Sequence, residues 1–119
     1  MKIEKYKEES VTGSKMGDYE SKVIRKQIRV YGSVQGVGFR YRTEYAAESV
    51  GATGWVRNDA DGSVLMEIQG TEEQIDRVFL MVSRGNYVEI QNMEVKTIPV
   101  LDKEYGFRTV ETFDDFDGL

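Results

Sequence analysis

Hydrophobic and polar positions alternate first in "KQIRVYGSV". Ile28, Val30, Gly32 and Val34 fall on one side, and Arg29, Tyr31 and Ser33 on the other, the period-two pattern of a half-buried strand. The period then lengthens. In "FRYRTEYAAESVG", Phe39, Thr43, Ala47 and Val50 share one helical face, and Gly51 stands where the helix should stop. "ATGWVRN" reads as a second strand, "DADG" as a turn in which Gly62 takes positive φ, and "SVLMEIQG" as a third strand with Val64, Met66 and Ile68 inward. The two strands therefore pair as a β-hairpin. A second helix follows in "TEEQIDRVFLMVSRG". Thr71 is its N-cap, Gln74 completes a capping box, Ile75, Val78, Phe79 and Val82 form the buried stripe, and Gly85 supplies the stop. "VEIQNMEVKTIPV" is strand-like, and Pro99 near its end suits a sheet edge. "EYGFRTVE" can form a last, fifth short strand.

The order β-α-β-β-α-β, with that possible fifth strand, predicts an α+β fold. It is the ferredoxin-like split βαβ sandwich: two helices on one face of a mainly antiparallel sheet, with right-handed crossovers. Residues 1–21 mix charged and small polar residues without steady periodicity and read as a flexible N-terminal extension. Residues 22–112 read as the folded domain and 113–119 as an acidic tail.

Composition narrows the function. At 119 residues, 39% apolar and 31% charged, the chain suits one soluble domain with a modest core. No apolar run approaches the roughly 18 residues of a membrane span. "MKIEKYKEESVTG" has no apolar stretch of the secretory kind, so the expected compartment is the cytoplasm, with no membrane partner. Cys and His are both absent. Ser–His and Cys–His nucleophile systems are thereby excluded, and a zinc site is disfavoured. The net charge of −5 argues against nucleic acid and other polyanions, but not against a small anion held at one locally positive spot.

Such a spot is suggested by "GSVQGVGFR". A dinucleotide fingerprint would need a third glycine where Tyr41 stands, and a Walker loop would need a Gly-Lys-Ser/Thr ending where Val37 stands. What remains is geometric. A tight loop entering a helix aims successive N–H groups inward, the helix dipole adds about half a positive charge, and Arg40 can fork onto two oxygens of a bound tetrahedral anion. The alternative is a plain tight turn with a surface arginine. "GWVRN" places Asn58 at a strand tip. If the two parallel strands of the βαβ unit are neighbours, Asn58 comes near the loop, where an amide that donates and accepts can orient water. Its alternative role is simply to enter the turn "NDADG". Arg57 should point to the opposite face, and Arg42 lies about 200° around the helix from Arg40. Trp55 is either core or site wall, with packing favoured. Asp59 and Asp61 suit a polar turn better than a Mg²⁺ site.

"GSVQGVGFR", followed in order by "GWVRN" and "DGSV", resembles the acylphosphatase family over roughly Gln27 to Val110. The family pattern is Gly-x-Val-Gln-Gly-Val-x-Phe-Arg, then Gly-Trp-Val-x-Asn and a glycine turn. The resemblance implies the ferredoxin-like sandwich and hydrolysis of the carboxyl–phosphate bond of acyl phosphates. It also implies a role for each site residue. Arg40 binds the phosphoryl group together with the main-chain N–H groups of Gln35, Gly36, Val37, Gly38, Phe39 and Arg40. Asn58 positions the attacking water. No metal or cofactor is implied; the partner is a small acyl phosphate, a phosphate or sulfate ion can occupy the site, and the chain is expected to be a monomer. Gly38 stands where the family varies, and the N-terminal extension has no counterpart in the minimal family domain. A rival reading is a binding module for RNA, metabolites or protein, with Tyr31 as an exposed aromatic on the sheet.

Overall fold

Residues 22–85 and 87–111 are described by the computed structural model, so the expected extension and acidic tail lie outside the described residues. The elements are β1 (Val23–Ser33), α1 (Phe39–Val50), β2 (Thr53–Asn58), β3 (Val64–Thr71), α2 (Glu72–Ser83), β4 (Glu89–Ile98) and β5 (Phe107–Val110). The strands form one sheet in the order β4-β1-β3-β2-β5. β1 pairs antiparallel with β3 and β4, β2 antiparallel with β3, and β2 parallel with β5. This is the expected α+β sandwich. β4 lies on an edge, as Pro99 suggested, and the fifth strand forms the other edge.

The neighbour assumption behind Asn58 needs correcting: β1 and β2 are separated by β3. The reason is burial. β3 hides Val64, Met66 and Ile68 completely on one face and Leu65 nearly so on the other, so it belongs in the centre with both edges hydrogen-bonded.

The core lies between sheet and helices. Ile28, Val30, Val56 and the inward side chains of β3 meet Phe39 and Ala47 from α1 and Ile75, Val78, Phe79 and Val82 from α2. Each large apolar side chain so buried stabilises the fold by roughly 1.5–3 kcal/mol relative to exposure. The capping box of α2 is present: the Gln74 N–H donates to Thr71 Oγ1 at 3.1 Å, and the Thr71 N–H donates to Gln74 Oε1 at 2.8 Å. Gln74 Nε2 also donates to the Val50 carbonyl at 2.7 Å, tying the start of α2 to the end of α1.

Gly51 ends α1 in the left-handed region, with φ 85°. Gly85 does not end α2 that way. The C-cap is Arg84 at φ −87°, and Gly85 has no positive φ. Its N–H donates to the Val82 carbonyl at 3.0 Å, and a Cβ there would meet only the exposed side chain of Arg42. On the helix-free face of the sheet, Arg25 is buried. It donates to Glu67 at 3.0 Å, Gln69 at 3.1 Å and Glu104 at 2.7 Å. Gln69 in turn bonds the backbone of Leu101. These bonds pin the segment between β4 and β5 across the sheet, which delivers β5 to the edge of β2.

Candidate active site

The two helices begin differently. α2 has its capping box and two acidic residues, Glu72 and Glu73, in its first turn. α1 begins at Gly38, which has no side chain to offer, and no acidic residue stands in its first turn. Its first backbone bond is donated by the Arg42 N–H to the Gly38 carbonyl at 3.0 Å. By helix geometry the N–H groups before Arg42 therefore lack an intrahelical acceptor. Gly36 and Gly38, at φ 76° and 82°, turn the loop so that it runs directly into this helix start. The result is a positive helix end left open, where an anion is stabilised by both N–H groups and dipole.

A cavity of about 480 Å³ lies there. Val34, Gly36 and Gly38 line it from the loop, and Phe39, Arg40, Tyr41 and Glu44 from α1. Asn58 lines it from β2, and Thr109 and Glu111 from β5 and the residue beyond it. Asn58 reaches this cavity without β1 and β2 being neighbours. The two strands run the same way, so both C-terminal ends lie at one end of the sheet, and α1 packs across to β2 and β5.

Five of the expected site residues thus come together: Gly36, Gly38, Phe39, Arg40 and Asn58. Phe39 is 1% exposed, so its ring anchors the helix start in the core while its backbone belongs to the loop. Gln35 and Val37 do not line the cavity. Val37 packs against the core. Gln35 Nε2 donates to the carbonyls of Asp59 at 2.7 Å and Ser63 at 2.9 Å, stapling the glycine loop to the β2–β3 turn next to Asn58.

Asn58 continues the helix-facing side of β2, after Gly54 and Val56. Its Oδ1 is buried and has no hydrogen-bond partner among the described residues. An acceptor left unmade in this way costs about 1–3 kcal/mol, which a donating water would offset. Arg40 Nη1 donates to the Val110 carbonyl at 3.3 Å and lies 4.0 Å from Glu111 Oε1. Thr109 Oγ1 donates to Glu44 Oε1 at 2.9 Å. β5 therefore helps to hold the arginine in the cavity lining. The sequence reading missed Val34, Tyr41, Glu44, Thr109 and Glu111 as lining residues. Glu44, one turn after Arg40, was the available signal; the β5 residues arrive by a long-range parallel pairing that no local pattern shows.

The remaining candidates lie elsewhere. Arg42 and Arg57 do not line the cavity, as expected. Trp55 is neither core nor site wall: it sits half-buried on the helix-free side of β2, under the Arg57 guanidinium at 5.5 Å. Asp59 receives Arg57 Nε and Arg29 Nη1 on its two oxygens, each at 2.7 Å. Burial alone would raise the Asp59 pKa, but these two guanidinium bonds outweigh it and hold the carboxyl below its ordinary range. Asp61 Oδ1 accepts from the Ser63 N–H at 2.9 Å within the turn. Among the described residues no three acidic groups cluster as a metal site. Tyr31 donates its hydroxyl to Glu94 at 3.2 Å, which places a carboxylate beside the ring proposed for RNA stacking.

A family model described as Acylphosphatase matches residues 26–109. An acylphosphatase of Oceanobacillus iheyensis is 46% identical over 74 residues, covering 60% of this chain and 81% of that protein. One from Clostridium acetobutylicum is 38% identical over 87 residues, covering 72% of this chain and 96% of its own. Among solved structures, Bacillus subtilis acylphosphatase superposes with a TM-score of 0.67 at 31% identity, covering 73% of this chain and 98% of that one. With a match over most of its length and the glycine loop, arginine and asparagine gathered at one cavity, this chain belongs to the acylphosphatase family.

Proposed function

We propose that this protein is an acylphosphatase, hydrolysing the carboxyl–phosphate bond of a small acyl phosphate by attack of water on phosphorus. The observation that carries the reading is one cavity combining a helix N-terminus with no side-chain cap, a guanidinium in its lining and a buried amide acceptor without a partner among the described residues.

The chemistry needs little more. The leaving group is a carboxylate, whose conjugate acid has a pKa of about 4 by side-chain analogy, so it departs without a general acid. This suits a chain without histidine. Phosphoryl transfer has a loose transition state with charge on the equatorial oxygens, so positioning and electrostatics do most of the work. In our reading the main-chain N–H groups of Gly36, Gly38, Phe39 and Arg40, which line the cavity, together with the Arg40 guanidinium, receive that charge. Asn58 Oδ1 accepts a hydrogen bond from the attacking water and holds it in line. The Gln35 side chain keeps the two halves in register. No metal is required, because the arginine and the helix end supply the positive charge.

Phosphate or sulfate would occupy the same nest. We expect a monomer acting on a soluble substrate in the cytoplasm. No helix among the described residues is long and apolar enough to cross a membrane.

The test is hydrolysis of benzoyl phosphate in a chelator by the wild type, Arg40→Ala and Asn58→Ala. Removing one charge-stabilising donor at such a site typically costs roughly a hundredfold to a thousandfold in rate. We expect a loss of that order in Arg40→Ala and roughly a hundredfold loss in Asn58→Ala, which no longer positions the water, with the fold intact in both, and little turnover of a sugar phosphate, whose leaving group is far poorer. A rate that depends on added metal, or survives Arg40→Ala, contradicts the reading.

A further inference from the structure

A second cavity, about 460 Å³, borders the first and shares Tyr41 and Glu44 with it; Arg42, Tyr45 and Glu48 complete its lining. Tyr41 and Tyr45 lie one helical turn apart on α1 and are 76% and 72% exposed. Neither ring belongs to the core. Their placement is therefore not explained by packing.

We infer that this groove along α1 receives the acyl group of the substrate and favours uncharged aromatic acyl groups; the inference rests on the acylphosphatase reading. The acyl group is bonded to the phosphoryl group that the active-site cavity holds, so it must occupy space continuous with that cavity. Tyr41 and Glu44 line both cavities, and the groove continues one helical turn along α1 to Tyr45. Tyrosine offers a broad ring with few torsions to freeze, and aromatic pairs prefer offset or edge-to-face contact. Charge supplies the second selection. Glu44 and Glu48 face the groove against the one cation, Arg42, so an acyl group carrying its own carboxylate meets net negative charge.

The experiment compares kcat/KM for benzoyl phosphate and acetyl phosphate in the wild type, Tyr45→Ala and Tyr45→Phe. Each variant is divided by the wild type on the same substrate, which cancels the difference in intrinsic reactivity. Tyr45 is exposed and outside the core, so the fold should persist, as circular dichroism will check. We expect Tyr45→Ala to lose about fivefold more on benzoyl than on acetyl phosphate, mainly through KM, in keeping with the strength of one aromatic contact. Tyr45→Phe should recover it, and benzoate should become a weaker product inhibitor of Tyr45→Ala. Parallel changes on both substrates, with acetyl phosphate still turned over, would overturn the groove and leave the acylphosphatase reading standing. No turnover of either substrate by folded wild type would remove that reading and this inference with it.

Discussion

Two glycines of the chain take positive φ for opposite reasons. Gly36 has φ 76° with open space where a Cβ would go, whereas Gly54, at φ 142°, lies against the Glu67 carbonyl of the neighbouring strand. An alanine at Gly36 meets conformational strain alone, about 1–2 kcal/mol for the left-handed region. An alanine at Gly54 must also push β2 from β3, a disruption we place at about 3 kcal/mol. Gly36→Ala should thus lower kcat/KM at least tenfold with a small fall in thermal midpoint, because it re-aims N–H groups of the loop. Gly54→Ala should chiefly lower the midpoint. Measuring both quantities on both variants separates a loop that binds from one that merely turns. At this scale the site was largely readable. Gly36, Gly38, Arg40 and Asn58 announce themselves by residue type and spacing. Gln35 was expected to offer its main-chain N–H; its side-chain role was not foreseen, because that side chain bonds backbone atoms of a turn distant in sequence.

Local elements formed where their own residues demanded them. The capping box starts α2, Gly51 stops α1, and alternation sets the inward faces of β1 and β3. Gly85 follows α2 without the left-handed φ of a glycine cap, because Arg84 takes the C-cap position at φ −87°. The β2–β3 turn depends on tertiary charge that no local pattern reveals: Asp59 bridges Arg29 from β1 and Arg57 from β2. Its folded pKa is lowered from 3.8. The contribution to stability is therefore fully present above the unfolded value of about 3.9 and is lost as pH falls through the folded value. Asp59→Asn should be less stable than wild type near neutral pH, and the gap should narrow once pH drops below about 4. Urea unfolding at a series of pH values checks this; a gap that widens in acid would contradict it.

For the whole molecule, the order of elements was enough to foresee the sandwich, but not the order of strands. Placing β3 between β1 and β2 follows from its burial on both faces, and the reach of α1 over β2 and β5 then closes the site. β5 was the faintest strand in the sequence, four residues long, yet its end takes the hydrogen bond of Arg40. It is held there by the Arg25 network on the far face of the sheet, a long-range arrangement. Against the chain's net charge of −5, an anion at this cavity is met by the start of α1 and by the Arg40 guanidinium. Water attacking phosphorus at that point is the central claim. The measurement that tests it most directly is hydrolysis of benzoyl phosphate in water enriched with heavy oxygen, followed by mass analysis of both products. The account predicts the label in inorganic phosphate; label in benzoate, showing attack at the carbonyl carbon, would contradict it.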